Sequence, residues 1–247
     1  DFGAEPDNGM DAAAEMALAL DPNLAEAHAV KAYILQTKGD MDGAVAEVGI
    51  ALQLDSESHE ANRVAGRLNY QLHRFEDAAR YYDKATSLMD SDVGSSMMLS
   101  SCCTTMGDTA VARRAAEVTL KRADAVLARD QSNASVIAFS AAALGKLGED
   151  ERAQARMSRA LLCDPDNFNM RYNFACTLCN EMKDKHAALG MLESVFSKIT
   201  DNFLPYAKAD PDFESLHDDP RWQGMVAAAE ARLAASKSPA SSAPEAA

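Results

Sequence analysis

The chain has 247 residues and a formal charge of −14, from 38 acidic against 24 basic side chains. That charge repels phosphate backbones, which argues against nucleic acid as a partner. No stretch reads as a transmembrane span or a signal peptide, and five cysteines, an odd number, argue for reduced thiols in a cytoplasm rather than a disulfide framework.

Residues 1–6 carry no pattern. Asp7 or Asn8 can cap a helix running from Met10 to Leu20, which reads as the second half of a repeat, a leading partial unit over 1–23. Its first half is expected upstream, so the chain reads as a piece of a longer polypeptide; a terminal cap is the alternative. From Ala25 the sequence reads as two short antiparallel helices and then starts again. The turn position of this pattern falls at Gly39, His73, Gly107, Gly148 and Met182, separated by 34, 34, 41 and 34 residues. An alanine follows five residues later each time, at Ala44, Ala78, Ala112, Ala153 and Ala187. The repeats occupy 25–58, 59–92, 93–133, 134–167 and 168–201.

Each helix pair exposes an apolar stripe that only the next pair can cover, and close stacking demands small side chains where helices cross. The eighth position of each unit supplies Ala32, Gly66, Ser100, Ala141 and Ala175, and the twenty-seventh supplies Ala51, Ala85, Thr119, Ala160 and Ser194. Enlarging one of these should strain the contact by roughly 1–3 kcal/mol. The third unit carries seven extra residues in its second helix, about two turns, so the same face stays in register while the helix is expected to project past its neighbours, where it could alter the curvature or dock an adjoining element.

After 201 the repeat stops, and 202–235 reads as a helical cap. Asp210-Pro211 and Asp219-Pro220 mark two closely spaced helix starts, the second helix anchored by Trp222. Residues 236–247, rich in Ser, Ala and Pro, read as a disordered tail.

With Gly39, Ala44, Ala51 and the Asp-Pro ends at Pro22 and Pro165, the units resemble tetratricopeptide repeats over about residues 7–200. The resemblance implies an all-α right-handed solenoid of antiparallel helix pairs that holds another polypeptide. Lys31, Asn69 and Arg171 depart from the family's apolar or aromatic positions, which implies looser interfaces or side chains that snorkel outward. The ending 209–222, with Arg171-Tyr-Asn-Phe-Ala175, resembles more narrowly the C-terminal arrays of bacterial signalling proteins, of the class III adenylate cyclase or winged-helix regulator type.

In that fold the first helices line a concave groove. The resemblance therefore places Tyr33, Arg63, Arg67, Tyr70, Met97, Ser101, Phe139, Tyr172 and Asn173 as partner-binding residues, with Gln36, Met98, Thr104, Cys176 and Cys179 at neighbouring inward positions. Arg63 and Arg67, four apart, share a helical face and could grip a carboxylate; the alternative is that they pair with acids such as Glu60. Ala29, Tyr33, Gly94 and Met98 stand where family grooves that read a chain-terminal carboxylate carry Lys, Asn and Arg, so chaperone-tail binding is not supported.

Cys176-Thr-Leu-Cys179 is the only spacing that suggests metal or redox chemistry, and without a second pair, and in mid-helix, it reads as packing. The histidines at 28, 59, 73, 186 and 217 form no metalloprotease spacing, and no phosphate loop or nucleophile elbow occurs. No catalysis, metal or cofactor is expected. The expectation is a noncatalytic scaffold that binds a peptide or helix of a partner protein without membrane insertion. Its alternatives are an oligomerisation element, including a homodimer, and a regulatory array packed on an upstream domain of the same polypeptide.

Overall fold

The computed structural model describes residues 8–237, which form thirteen α-helices and one 3₁₀ helix. The Asp7 cap and the tail beyond 237 lie outside the described residues. Two compact units divide at Pro165.

The first unit contains α1 (Asn8–Leu20), α2 (Ala25–Thr37), α3 (Met41–Leu54), α4 (His59–Gln71), α5 (Phe75–Leu88), α6 (Val93–Thr105), α7 (Thr109–Leu127), α8 (Ala134–Leu147) and α9 (Asp150–Cys163). From α2 onward the helices pack as pairs, α2 on α3, α4 on α5, α6 on α7 and α8 on α9, and each pair stacks on the next; α1 packs on α2. The turn inside each pair is set by one residue in the left-handed region, Gly39 (φ 86°), Gly107 (φ 79°) and Gly148 (φ 79°), with His73 adopting the same conformation at φ 56°. Glycine takes that conformation without a Cβ clash. The next residue opens the second helix, and Asp40 and Asp108 cap it by accepting from the amides of Gly43 and Val111. First helices are capped in the same way by Ser58, Asp92 and Asn133.

Small residues sit where they are needed. Ala32, Ala44, Ala51, Ala78, Ala85, Ala141, Ala153 and Ala160 are all fully buried. At Gly66 an added Cβ would lie 2.8 Å from the ring of Tyr82, so this glycine is the gap into which a partner helix places an aromatic ring. Lys31 snorkels, as its position suggested, and pairs with Glu47 on α3.

Helix α7 corrects one expectation. Its last turns do not stand clear of their neighbours: Ala123 and Leu127 are buried, and Arg156 of α9 pairs with Asp124 at 2.7 Å. Arg122 turns back to the end of α5 and donates to the carbonyls of Thr86 (2.7 Å), Met89 (3.1 Å) and Asp92 (3.2 Å). Arg122 is the fourteenth residue of α7, the length at which α3, α5 and α9 end, so this tie does not depend on the added turns; its cation sits favourably at the carbonyl end of the α5 dipole.

The second unit contains α10 (Phe168–Asn180), α11 (Lys185–Lys198), α12 (Leu204–Ala209), the 3₁₀ helix Pro211–Leu216 and α13 (Pro220–Lys237). Here the sequence register is corrected by one residue. The left-handed turn residue is Lys183 (φ 56°), not Met182, and Asp184 caps α11 through the amide of Ala187. Counting from that cap, the small packing position falls on the fully buried Ala188 instead of the half-buried Ala187, and the later one on buried Val195 instead of Ser194. One more residue in the α10–α11 turn rotates the helix entry, and the run Ala187-Ala188 hides the shift from a pattern search.

The 3₁₀ helix packs on α10, and α13 packs on α11. Phe213 and Leu216 are fully buried, and Trp222 meets Phe196 edge-on at 5.2 Å and Phe213 at 5.5 Å. Arg232 of α13 donates to the carbonyls of Phe196 (3.3 Å) and Ile199 (2.5 Å) at the end of α11. Helix α13 continues through Ser236 to Lys237, two residues into the segment expected as a tail. No helix among the described residues is long and apolar enough to cross a membrane.

Candidate functional site

In the first unit α2 packs directly on α4 and α6 on α8, whereas the second helices α3, α5, α7 and α9 make at most marginal contact with one another. The first helices thus form a layer joined at α2–α4 and at α6–α8, while α4 and α6 make at most marginal contact with each other.

Across α2 and α4 that layer is closely joined. The guanidinium of Arg67, only 8% exposed, lies 4.7 Å from the centroid of the Tyr33 ring. A cation held over an aromatic face in a shielded place is stabilised by the ring quadrupole. One turn further along both helices, the Gln36 amide donates to the Gln71 side-chain carbonyl at 2.7 Å. Arg63 does not join Arg67 in a fork. Its Nη2 and Nε donate to Glu60 on its own helix at 2.5 and 3.0 Å, and that hydrogen bond holds the guanidinium above its ordinary pKa, against the opposing effect of burial. The cation is therefore already balanced by a neighbouring carboxylate.

Tyr70 is half-buried, edge-on to Phe75 at 5.4 Å, and packs on the cluster of Tyr82, Leu99, Cys102 and Cys103. Met97 and Ser101 are half-buried on α6, with the Ser101 hydroxyl turned to the Met97 carbonyl at 3.3 Å. Phe139 of α8 is half-buried and reaches α6, where a Cβ on Gly94 would lie 3.7 Å from its ring. The structure thus brings Tyr33 and Arg67 into one contact and sets Tyr70, Met97, Ser101 and Phe139 on successive first helices.

The two positions in the second unit part ways. Asn173 is exposed. Tyr172, expected on a groove, is 5% exposed and turned inward: its ring meets Phe203 at 5.1 Å and Phe213 at 5.3 Å, and its hydroxyl donates to Asp210 at 2.5 Å. Burial, and then the Asp210 carboxylate, push the hydroxyl well above the ordinary phenol range. Tyr172 is a packing residue because the segment after α12 folds over it. The sequence signal was present in Asp210-Pro211, but nothing local says which tyrosine the Asp will meet.

The same place holds Cys176, Asp210 and Asp212, whose side-chain ligand atoms lie within 4.8 Å of one another. Hydrogen bonds already engage them. Asp210 accepts from Tyr172 and from the amide of Asp212 at 2.9 Å, and burial, with the charges of Asp212 and Asp210, pushes the Cys176 thiol far up, so it stays protonated near neutral pH. Through these hydrogen bonds the three side chains form a polar seam in the packing of α10 against the 3₁₀ helix. Burial likewise raises Cys102 to about 12.

Residues that sequence reasoning missed are the long-range polar ties. His59 of α4 meets Asp92, the α6 cap, at 2.7 Å. Burial works to raise the Asp92 carboxyl, but the Ser95 hydroxyl and amide and His59 outweigh it and hold the group below the usual range. Only the 33-residue separation, one repeat less one residue, hints at this pairing.

No family model matches the chain, and no curated protein matches it in sequence. Its fold is similar to that of TTC0263, a thermophilic TPR protein of Thermus thermophilus, at 17% identity over 84% of this chain and 99% of that one, with a TM-score of 0.54. It is similar to pilF of Pseudomonas aeruginosa, at 19% identity over 80% and 87%, TM-score 0.53. It is similar also to a chain of the APC/C hetero-tetramer Cut9-Hcn1, at 19% identity over 77% of this chain and 37% of that one, TM-score 0.57. At such identities the likeness speaks for fold alone, and the fold is an all-α solenoid of tetratricopeptide-like helix pairs.

Proposed function

We propose that the chain is a noncatalytic interaction scaffold that docks a peptide or helix of a partner protein on the layer of first helices. The observation that carries this reading is the shielded Arg67 guanidinium held over Tyr33, with half-buried Tyr70, Met97, Ser101 and Phe139 on the helices that follow. Aromatic side chains give contact area at small entropic cost, methionine adapts its shape to the partner, and Arg67 gives charge selectivity. Arg63 and Asn173 belong to the same proposal at its margins, whereas Tyr172 does not. The test is affinity capture from extract with the wild-type chain beside an Arg63→Glu, Arg67→Glu variant and a Met97→Glu variant, with crosslinks mapped by mass spectrometry. Partners lost from the variants and crosslinked to first helices support the docking face. Partners retained unchanged by both variants overturn it.

A second reading, assembly of copies through α1, rests on Met16 at 67% and Leu20 at 83% exposure. Mass in solution across a concentration series, compared with Met16→Glu, Leu20→Glu, separates it from the first. The proposal also sets the array in the cytoplasm, within a larger bacterial signalling protein whose upstream domain it could regulate. What supports that setting is the resemblance of residues 209–222 and 171–175, and the reading of the cysteines as reduced thiols.

A further inference from the structure

The imidazole of His28 on α2 stands between two acceptors. Its Nδ1 is 2.7 Å from a carboxylate oxygen of Glu47 on α3, and its Nε2 is 3.0 Å from the carbonyl oxygen of Pro22 in the turn between α1 and α2. A carbonyl oxygen has no proton to give, and neither has an ionised carboxylate. A neutral imidazole carries one N–H and satisfies one of the two, whereas the imidazolium donates to both. We infer that His28 is a proton-operated latch: doubly protonated, it ties the turn that carries α1 to α3, and on losing a proton it releases one tie and loosens α1.

The surroundings favour the closed form. The His28 and Glu47 side chains are 13% and 14% exposed, so water competes poorly for their contact. Lys31, on the same helix as His28, meets the other oxygen of Glu47. Burial alone would raise the Glu47 carboxyl; Lys31 and His28 outweigh it and keep the group below its usual range, so it remains the acceptor while the imidazole titrates. Of the other charges on the packed elements, Asp11 of α1 pairs with Lys38, the Asp21 carboxylate accepts from the Asn23 amide, and on α4 His59 meets Asp92, Arg63 pairs with Glu60 and Arg67 lies over Tyr33, while Glu15 of α1, Glu26 of α2 and Asp42 of α3 are exposed to solvent. Among the described residues α2 is the principal packing partner of α1, and the Asp11 ion pair with Lys38 is exposed to solvent. The sign follows from the donor count: the two-sided contact exists only while the imidazole carries both protons and Glu47 is ionised, so raising the pH removes it.

Two measurements on the full chain test this. Long-range proton–nitrogen NMR spectra, with His28 assigned by its loss in His28→Gln, should show both ring nitrogens protonated at about pH 5.5 and a single tautomer at about pH 8.5. Hydrogen exchange by mass spectrometry, corrected for intrinsic rates, should show protection of residues 8–24 falling about tenfold over that range, the size of one charge-assisted hydrogen bond. The His28→Gln variant should be weakly protected there at both pH values, with α8 as an unchanged internal reference. Glu47→Gln should move the His28 titration to lower pH. Protection of 8–24 that ignores pH in the wild type, a pH response that survives in His28→Gln, or a His28 midpoint indifferent to Glu47→Gln would each overturn the latch.

Discussion

Between α2 and α9 the fully buried positions at helix crossings are mostly alanine, with Gly66, Ser100 and Thr119 at equivalent places; after Pro165 the interior is filled by Phe174, Phe196, Phe213 and Trp222. Stacked pairs need backbones to approach closely, and an alanine or glycine permits that at every repeat. The helices after α11 follow no repeat, and their irregular space is filled by rings meeting edge-on, as Tyr172 on Phe213, or tilted, as Phe213 on Trp222. The two regions should therefore fail in opposite ways, the first by enlargement and the second by truncation.

The largest effect is expected from Phe213→Ala, which removes a fully buried ring in contact with Tyr172 and Trp222 and should lower stability by roughly 3–5 kcal/mol. Urea unfolding followed by the fluorescence of Trp222, the single tryptophan, measures it. In the alanine-packed region the counterpart is Gly66→Ala, whose Cβ would press on the Tyr82 ring and should cost about 1–3 kcal/mol. Adding Tyr82→Leu should recover part of that loss; strict additivity in circular-dichroism melts would break the comparison. Asp92→Ala takes away both the α6 cap and the tie to His59, and should lower stability by about 1–2 kcal/mol. Because the Asp92 carboxyl is held below its usual range, that advantage is present above the ordinary carboxylate pKa and vanishes as pH falls through the lowered one, so wild-type and variant melting curves should converge in acid. Arg80→Ala, which breaks an exposed pair with Asp77, should stay within about 0.5 kcal/mol in either unit's unfolding and calibrates the others.

The same contrast explains what could be read without coordinates. The turn residues Gly39, Gly107 and Gly148 and the alanine that follows each are local requirements of backbone conformation and close approach, so they recur in the sequence with the period of the structure. The register slip at Lys183 escaped because Ala187 and Ala188 satisfy the same pattern, and only the cap at Asp184 distinguishes them. The fate of the candidate binding residues was less legible. Arg63 and Arg67 share a helical face in any reading, yet one turns to Glu60 on its own helix and the other crosses to Tyr33 on α2.

By itself, the sequence determined that the chain is helical, that the helices come in pairs, and where small side chains must stand, because propensity, capping and close packing act over a few residues. Only the tertiary structure decided that Tyr172 is buried under Asp210, that the long α7 reaches back through Arg122, and that His28 lies between Pro22 and Glu47. These contacts join groups 6 to 38 residues apart, and whether they form depends on how each helix is rotated and offset against the next. That rotation is set by the sum of many packing contacts and not by any one residue.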